Sequence, residues 1–256
     1  MNSSMQTLLR KVRVALTPRH WLLKARLADG AVVFGRNRPG YGGRGIYIFR
    51  DALEPEFEHL EKFLSPGGVF LDIGGNTGIY TIKAAQFFRQ QGGGTVVVYE
   101  PLPEMLAELN HNVTVNRFDN VRLRGFCLGN QPGTAEFWIN FDRPASSSLI
   151  HHDPQAARRS VLVLRLDDVF PLEQLDRLDY MKIDVEGAEA QVLAGAAETL
   201  KKIRPIVQLE TGHADAALNL PDYCAYQSPG SPNKVCFPND SPKVETARRL
   251  GWRKIS

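Results

Sequence analysis

Val69-Phe70-Leu71-Asp72-Ile73-Gly74-Gly75-Asn76-Thr77-Gly78 decides the fold of this 256-residue chain. Val69 to Ile73 is a short apolar run between Pro66-Gly67-Gly68 and Gly74-Gly75, which is the pattern of a buried strand. Helical spacing follows from Thr77 to Gln90, with Ile79, Ile82, Ala85 and Phe88 in phase, and it stops before Gly92-Gly93-Gly94. Strand, glycine turn and helix thus succeed one another without a spacer.

The same alternation continues downstream. Thr95 to Tyr99 is rich in β-branched residues and reads as a second buried strand. Leu102 to Val115 places Met105, Leu106, Leu109 and Val113 on one helical face. Val121 to Leu128 reads as a third strand and Thr134 to Asn140 as a further β segment, before a polar loop at Phe141–Ser160. Strands are then expected at Val161–Leu164, Tyr180–Asp184 and Pro205–Glu210, with a helix from Ala188 to Lys202. Residues 219–256 are expected to supply an edge strand or hairpin plus loops. Alternating strands and helices imply an α/β fold with a mostly parallel sheet and right-handed crossovers.

Upstream, the pattern is less regular. Arg36 to Gly45 is rich in Arg, Gly and Tyr and suits either a hairpin loop or a substrate lid. Ile46-Tyr47-Ile48-Phe49 reads as a strand and Glu54 to Leu64 as an amphipathic helix capping the sheet. The expected organisation is a basic extension over residues 1–64 (helix, hairpin, capping helix) and an α/β domain over 65–256.

Charge is unevenly spread. Residues 1–50 hold ten Lys/Arg against the single acid Asp29, so a net +9 sits there in a chain whose total is +3. The basic amphipathic start, Leu8-Leu9-Arg10-Lys11-Val12-Arg13-Val14, suits either contact with an anionic membrane surface, nucleic acid or an acidic substrate, or a plain solvated helix face. A nucleic-acid partner is not expected, because no aromatic-interleaved basic patch follows. Runs of about 18 apolar residues, which a membrane-spanning helix needs, are absent. Cys127, Cys224 and Cys236 are too few and too scattered for a disulfide framework or a zinc site. Together these features suggest a cytoplasmic protein able to lie against the inner face of a membrane.

In such folds, chemistry gathers outside the carboxyl ends of the strands. The first strand here ends in Asp72-x-Gly74-x-Asn76-x-Gly78, where glycines let the chain bend sharply and leave helix N–H groups open to a carboxylate. The second ends in Glu100, a carboxylate placed to accept from both hydroxyls of a ribose. A turn and an acid so placed indicate an adenosine-containing ligand. Dinucleotide folds want G-x-G-x-x-G, and Gly74, Gly75 and Gly78 do not supply that spacing. The pattern matches instead the first motif of Rossmann-like methyltransferases.

A second motif narrows this reading. Lys182-Ile183-Asp184-Val185-Glu186-Gly187-Ala188-Glu189 resembles the signature of the FkbM family of S-adenosylmethionine-dependent methyltransferases. Tyr99-Glu100-Pro101, Asn110-x-x-Val113-x-x-Asn116, Leu166-Asp167-Asp168, Leu193-x-Gly195-Ala196 and Gln208-Leu209-Glu210 resemble further family features, so the likeness covers roughly residues 66–211. Gly75 stands where the family usually has alanine, a change expected to be harmless, and Cys127-Leu128-Gly129 is a looser match. The resemblance implies a class I methyltransferase fold, S-adenosyl-L-methionine as cofactor, and O-methylation of a hydroxyl on a sugar, glycan or small natural product.

Residue roles follow as expectations. Asp72, Gly74, Gly75, Asn76 and Gly78 would shape the pocket for the methionine end of the cofactor, Glu100 would hold the ribose, and Cys127 and Leu128 would border the adenine. Asp184 is the first choice for a base or substrate orienter, followed by Glu186, Glu189, Glu210 and His213. Glu189 also suits a helix N-terminus. His151-His152-Asp153 reads as solvated loop, and although the four acids have oxygen ligands to offer, nothing in their spacing demands a metal. Two rival readings are a nucleotide-cofactor oxidoreductase and a non-catalytic adenosine-binding scaffold.

Overall fold

The computed structural model describes residues 3–38, 43–139, 149, 157–210 and 220–255. His213, His151-His152-Asp153 and most of the 141–160 loop lie outside the described residues. The chain opens with helix α1 (Ser3–Leu16), the hairpin β1 (Leu22–Arg26) and β2 (Val32–Arg36), and helices α2 (Gly43–Phe49) and α3 (Pro55–His59). Next come β3 (Gly68–Ile73), α4 (Ile79–Gln90), β4 (Gly94–Tyr99), α5 (Pro103–Asn116) and β5 (Val121–Arg124). They are followed by β6 (Cys127–Leu128), β7 (Gly133–Ile139), β8 (Ala157–Leu164), α6 (Leu166–Val169) and β9 (Tyr180–Ile183). The chain continues through α7 (Glu189–Ala194), α8 (Ala197–Ile203), β10 (Ile206–Leu209), β11 (Tyr223–Gln227), β12 (Lys234–Pro238), α9 (Lys243–Arg249) and β13 (Arg253–Lys254).

Eight strands form one sheet in the order β13-β11-β12-β10-β9-β3-β4-β5. Strands β5, β4, β3, β9 and β10 run parallel, whereas β12 pairs antiparallel with β10. Every residue of β3, β9 and β10 is buried, as strands covered on both faces require. Their side chains alternate between two cores. Phe70, Val98 and Tyr180 face one, which also takes Leu27, Val33 and Phe57 from the N-terminal segment; Leu71, Val97 and Met181 face the other, with Val192 and Leu200. Chain order reverses between β3 and β9, so a crevice opens at their carboxyl ends.

Several local expectations are corrected. Ile46–Phe49 is not a strand but the end of α2, and the hairpin is formed earlier, by residues 22–36. Packing decides this: Ile46 and Ile48 point inward and Gly43 lies so close to the hairpin that a Cβ there would meet Gly35 C at 2.2 Å. Val121–Leu128 is not one strand, because Gly125-Phe126 carries the chain out of the large sheet and Cys127–Leu128 pairs with β8 instead. Val161–Leu164 belongs to that same separate three-stranded sheet, ordered β6-β8-β7. The helix from Ala188 to Lys202 is broken at Gly195-Ala196, where a Cβ on Gly195 would lie 1.9 Å from Gly129 O. That close approach ties the broken helix to the small sheet.

Candidate active site

The crevice holds a cleft of about 1120 Å³. Asp72, Gly74, Gly75, Asn76, Glu100, Cys127 and Leu128 line it, and so do Asp184, Glu186 and Glu210. Two predicted residues stand behind the wall. Gly78 caps α4 with φ +83° and packs on Leu109, and Glu189 turns its carboxylate inward to the Val185 and Gly187 N–H groups at 3.3 and 3.2 Å.

The glycine turn is built from main chain. Gly74 has φ +82°, and a Cβ on it would lie 1.8 Å from the carbonyl oxygen of Asp184. Asp184 N donates to Ile73 O at 3.0 Å, so the two strand ends touch backbone to backbone. Gly75 has no such positive φ; it is small because Val98 Cγ1 would stand 2.3 Å from a Cβ. Gly75 is therefore matched to Val98 and Leu109, which crowd the space that an alanine methyl would take.

Two carboxylates fix the turn. Asp72 Oδ2 accepts from Thr81 N at 3.1 Å and Thr81 Oγ1 at 2.6 Å, while its buried Oδ1 has no partner among the described residues. Burial raises the Asp72 pKa against the pull of Lys182 and Thr81. Glu100 accepts from Asn76 N (2.9 Å) through Oε2 and from Leu102 N (3.0 Å) through Oε1. Burial pushes its pKa up to about 7, although those two N–H groups oppose the shift. Cys127 is a buried thiol, raised to about 12, and serves as an apolar wall.

At the end of β9, Lys182 is buried, and its Nζ lies 2.7 Å from Asp184 Oδ2 and 4.8 Å from the centre of the Tyr80 ring. Desolvation alone would raise the Asp184 pKa, but the ammonium beside it and the carboxyl of Glu210 outweigh burial and hold it below the usual carboxylate range. Glu210 faces Asp184, and this contact together with burial pushes its pKa up to about 10. The two facing carboxyls are thus pushed apart, Asp184 toward its ionised form and Glu210 toward its protonated one. Glu186, in the left-handed region at φ +53°, joins them: ligand oxygens of Asp184, Glu186 and Glu210 all lie within 4.8 Å of one another. Three such oxygens suit a hard cation, but acidic groups also gather in this way without one, and Lys182 already supplies the positive charge.

Three residues of the cleft carry no role in the sequence reading. Tyr80 donates to Glu54 Oε2 at 2.5 Å and accepts from Gln208 Nε2 at 3.0 Å, and Gln208 in turn accepts from Tyr180 at 2.8 Å. Glu54, from the segment before α3, has its pKa raised by burial. Lys182 was detectable as a lone charge within an apolar strand, and Tyr80 as an aromatic one helical turn past the glycines. Glu54 had no local signal, because its partner is 26 residues away.

Comparison with known proteins places the chain in a family. The family described as Methyltransferase FkbM domain matches residues 72–223, more than half the chain. The 31-O-demethyl-FK506 methyltransferase FkbM of Streptomyces tacrolimicus is 27% identical over 227 residues, covering 75% of this chain and 83% of the relative. The 2-O-methyltransferase NoeI of Sinorhizobium fredii is 27% identical over 207 residues, covering 70% and 77%. Among solved structures, methyltransferase FkbM from Methylobacillus flagellatus aligns at 18% identity and TM-score 0.49, covering 76% of this chain and 53% of that one, so this chain spans about half its length. The oxidoreductase reading finds no support among these. The Rossmann-like sheet is that of a class I methyltransferase, and the chain belongs to the FkbM family of methyltransferases.

Proposed function

We propose that the protein methylates a hydroxyl oxygen on a sugar, glycan or small natural product, with S-adenosyl-L-methionine as methyl donor. One observation carries this reading: the glycine turn, Glu100 and the Asp184–Glu210 pair meet in a single cleft. The residues fit such a cofactor. Asp72 offers a buried acceptor oxygen without a partner among the described residues, suited to an N–H or O–H donor, and Glu100 has lone pairs left for ribose hydroxyls beyond its two backbone bonds. Phe126, Cys127 and Leu128 supply an apolar wall for a base. When bound, the cofactor supplies an electrophilic methyl group on a positively charged sulfur.

The chain's own groups do the rest. Asp184, ionised beside Lys182, takes up the proton that the acceptor hydroxyl sheds as the new oxygen–carbon bond forms. Glu210 keeps its proton and holds Asp184 in place rather than acting as a base. Positioning contributes most, a term of up to about 7–11 kcal/mol in favourable cases. The names of two relatives, a 2-O-methyltransferase and a 31-O-demethyl-FK506 methyltransferase, support a hydroxyl acceptor.

S-adenosylhomocysteine is expected to raise the melting temperature of the wild type, and Glu100→Ala to abolish the rise. Absence of any shift at millimolar ligand would sink the cofactor assignment. A labelled-methyl transfer screen across hydroxylated glycans, lipids and small metabolites then identifies the acceptor.

A further inference from the structure

Helix α1 is amphipathic the wrong way round for a surface helix. Met5, Leu8, Leu9, Val12 and Leu16 recur at helical spacing on one face, and all are 51–81% exposed. Of the described α1 side chains only Val14 is buried, on the opposite side, where it meets Leu23 and Ile48. The helix is nonetheless fixed in this orientation by polar bonds. Buried Asn37 donates through Nδ2 to Val14 O at 2.9 Å and to Thr17 O at 2.7 Å, and Arg10 donates to Ile48 O at 3.0 Å. The next segment adds Trp21 and Leu22, both at least half exposed. Apolar side chains gathered and aimed outward in this way mark a docking surface.

Cations flank the apolar face. Lys11, Arg13, Arg19 and Lys24 are exposed, and Asp29 is the lone acid among the first fifty residues. We infer that α1, with Trp21 and Leu22, lies flat in the interface of an anionic lipid bilayer, its apolar face in the acyl boundary and its lysines and arginines at the phosphates. Charge selects this occupant over a second copy of the chain: a twofold contact would bring two net-cationic segments together. Tryptophan beside the helix also suits the headgroup region. No described helix is long and apolar enough to cross a membrane, so the contact is peripheral. This inference does not depend on the reaction proposed above.

Co-sedimentation of the full chain with phosphatidylcholine vesicles, with and without phosphatidylglycerol, tests it. The expected result is binding to the anionic vesicles alone, weakened by added salt. Lys11→Glu and Arg13→Glu should each weaken binding roughly fivefold. Leu8→Ser with Val12→Ser should weaken it by roughly tenfold or more, with an unchanged melting temperature because both side chains are already exposed. Binding to neither vesicle, equal binding to both, or full binding by the substituted proteins would each overturn the inference. A dimer in sedimentation equilibrium that Leu8→Ser with Val12→Ser converts to monomer would overturn it too, assigning the face to a subunit contact.

Discussion

Lys182 and Asp184 form a 2.7 Å ion pair in which the ammonium is buried and the carboxylate lines the cleft. The two residues stand two apart where β9 ends, so the pair is built locally at that strand end rather than assembled across the fold. It also separates the two facing carboxyls, since the ammonium favours the ionised form of Asp184 while Glu210 is pushed toward its protonated form.

That separation is testable by paired substitutions. Asp184→Asn removes the ionised carboxylate and is expected to lower kcat by about 10²–10⁴-fold. Glu210→Gln keeps a donor toward Asp184 and is expected to retain activity within about tenfold, provided proton-holding is its task. Steady-state kinetics decides: equal losses for both would make Glu210 the base.

Glu100 predicts a proton linked to cofactor binding. Its pKa of about 7 in the free protein exceeds the ordinary glutamate value, so its folding contribution is full below about pH 4.5 and is lost as pH rises through about 7. Ribose hydroxyls that donate to the carboxylate favour its charged form. S-adenosylhomocysteine binding should therefore release a proton between about pH 5 and 7 and tighten as pH rises through that window. Calorimetry in buffers of different ionisation enthalpy measures the proton directly. In Glu100→Gln the release should vanish; its persistence would place the proton elsewhere.

Gly75 and Val98 should be energetically coupled. Gly75→Ala forces a methyl group against Val98 Cγ1, and is expected to cost about 1–3 kcal/mol of stability. Val98→Ala opens a buried space at the same point, so the double substitution should be milder than the sum by roughly 1–2 kcal/mol. Urea denaturation of the four proteins gives the coupling. Strict additivity would show that the turn relaxes independently of β4.

Legibility in the sequence followed the range of the forces involved. β3, β4, β9 and β10 are largely apolar and almost wholly buried, and glycines precede the first two, so the main sheet and its crevice were readable from local pattern. Asp72, Glu100, Asp184 and Glu210 stood at strand ends for the same reason. Long-range contacts erased other local signals. Ile46–Phe49 has β-type side chains yet turns helical against the hairpin, and the helix after β9 breaks because Gly195 meets Gly129. Glu189 carried two readings, and the structure sets its carboxylate on the Val185–Gly187 backbone. The facing of Asp184 and Glu210 needed coordinates, since it depends on the separation of two different strands.

The backbone contact between Gly74 and Asp184 bears on how acceptors can change over evolutionary time. The turn assigned to the cofactor and the residue assigned to the proton are spaced by main chain, through a missing Cβ and the bond from Asp184 N to Ile73 O. Side-chain replacement elsewhere in the cleft leaves that spacing intact. Neighbouring walls are thus free to drift while the spacing of the two strand ends is inherited unchanged, and a single methyl group at position 74 is enough to end that freedom.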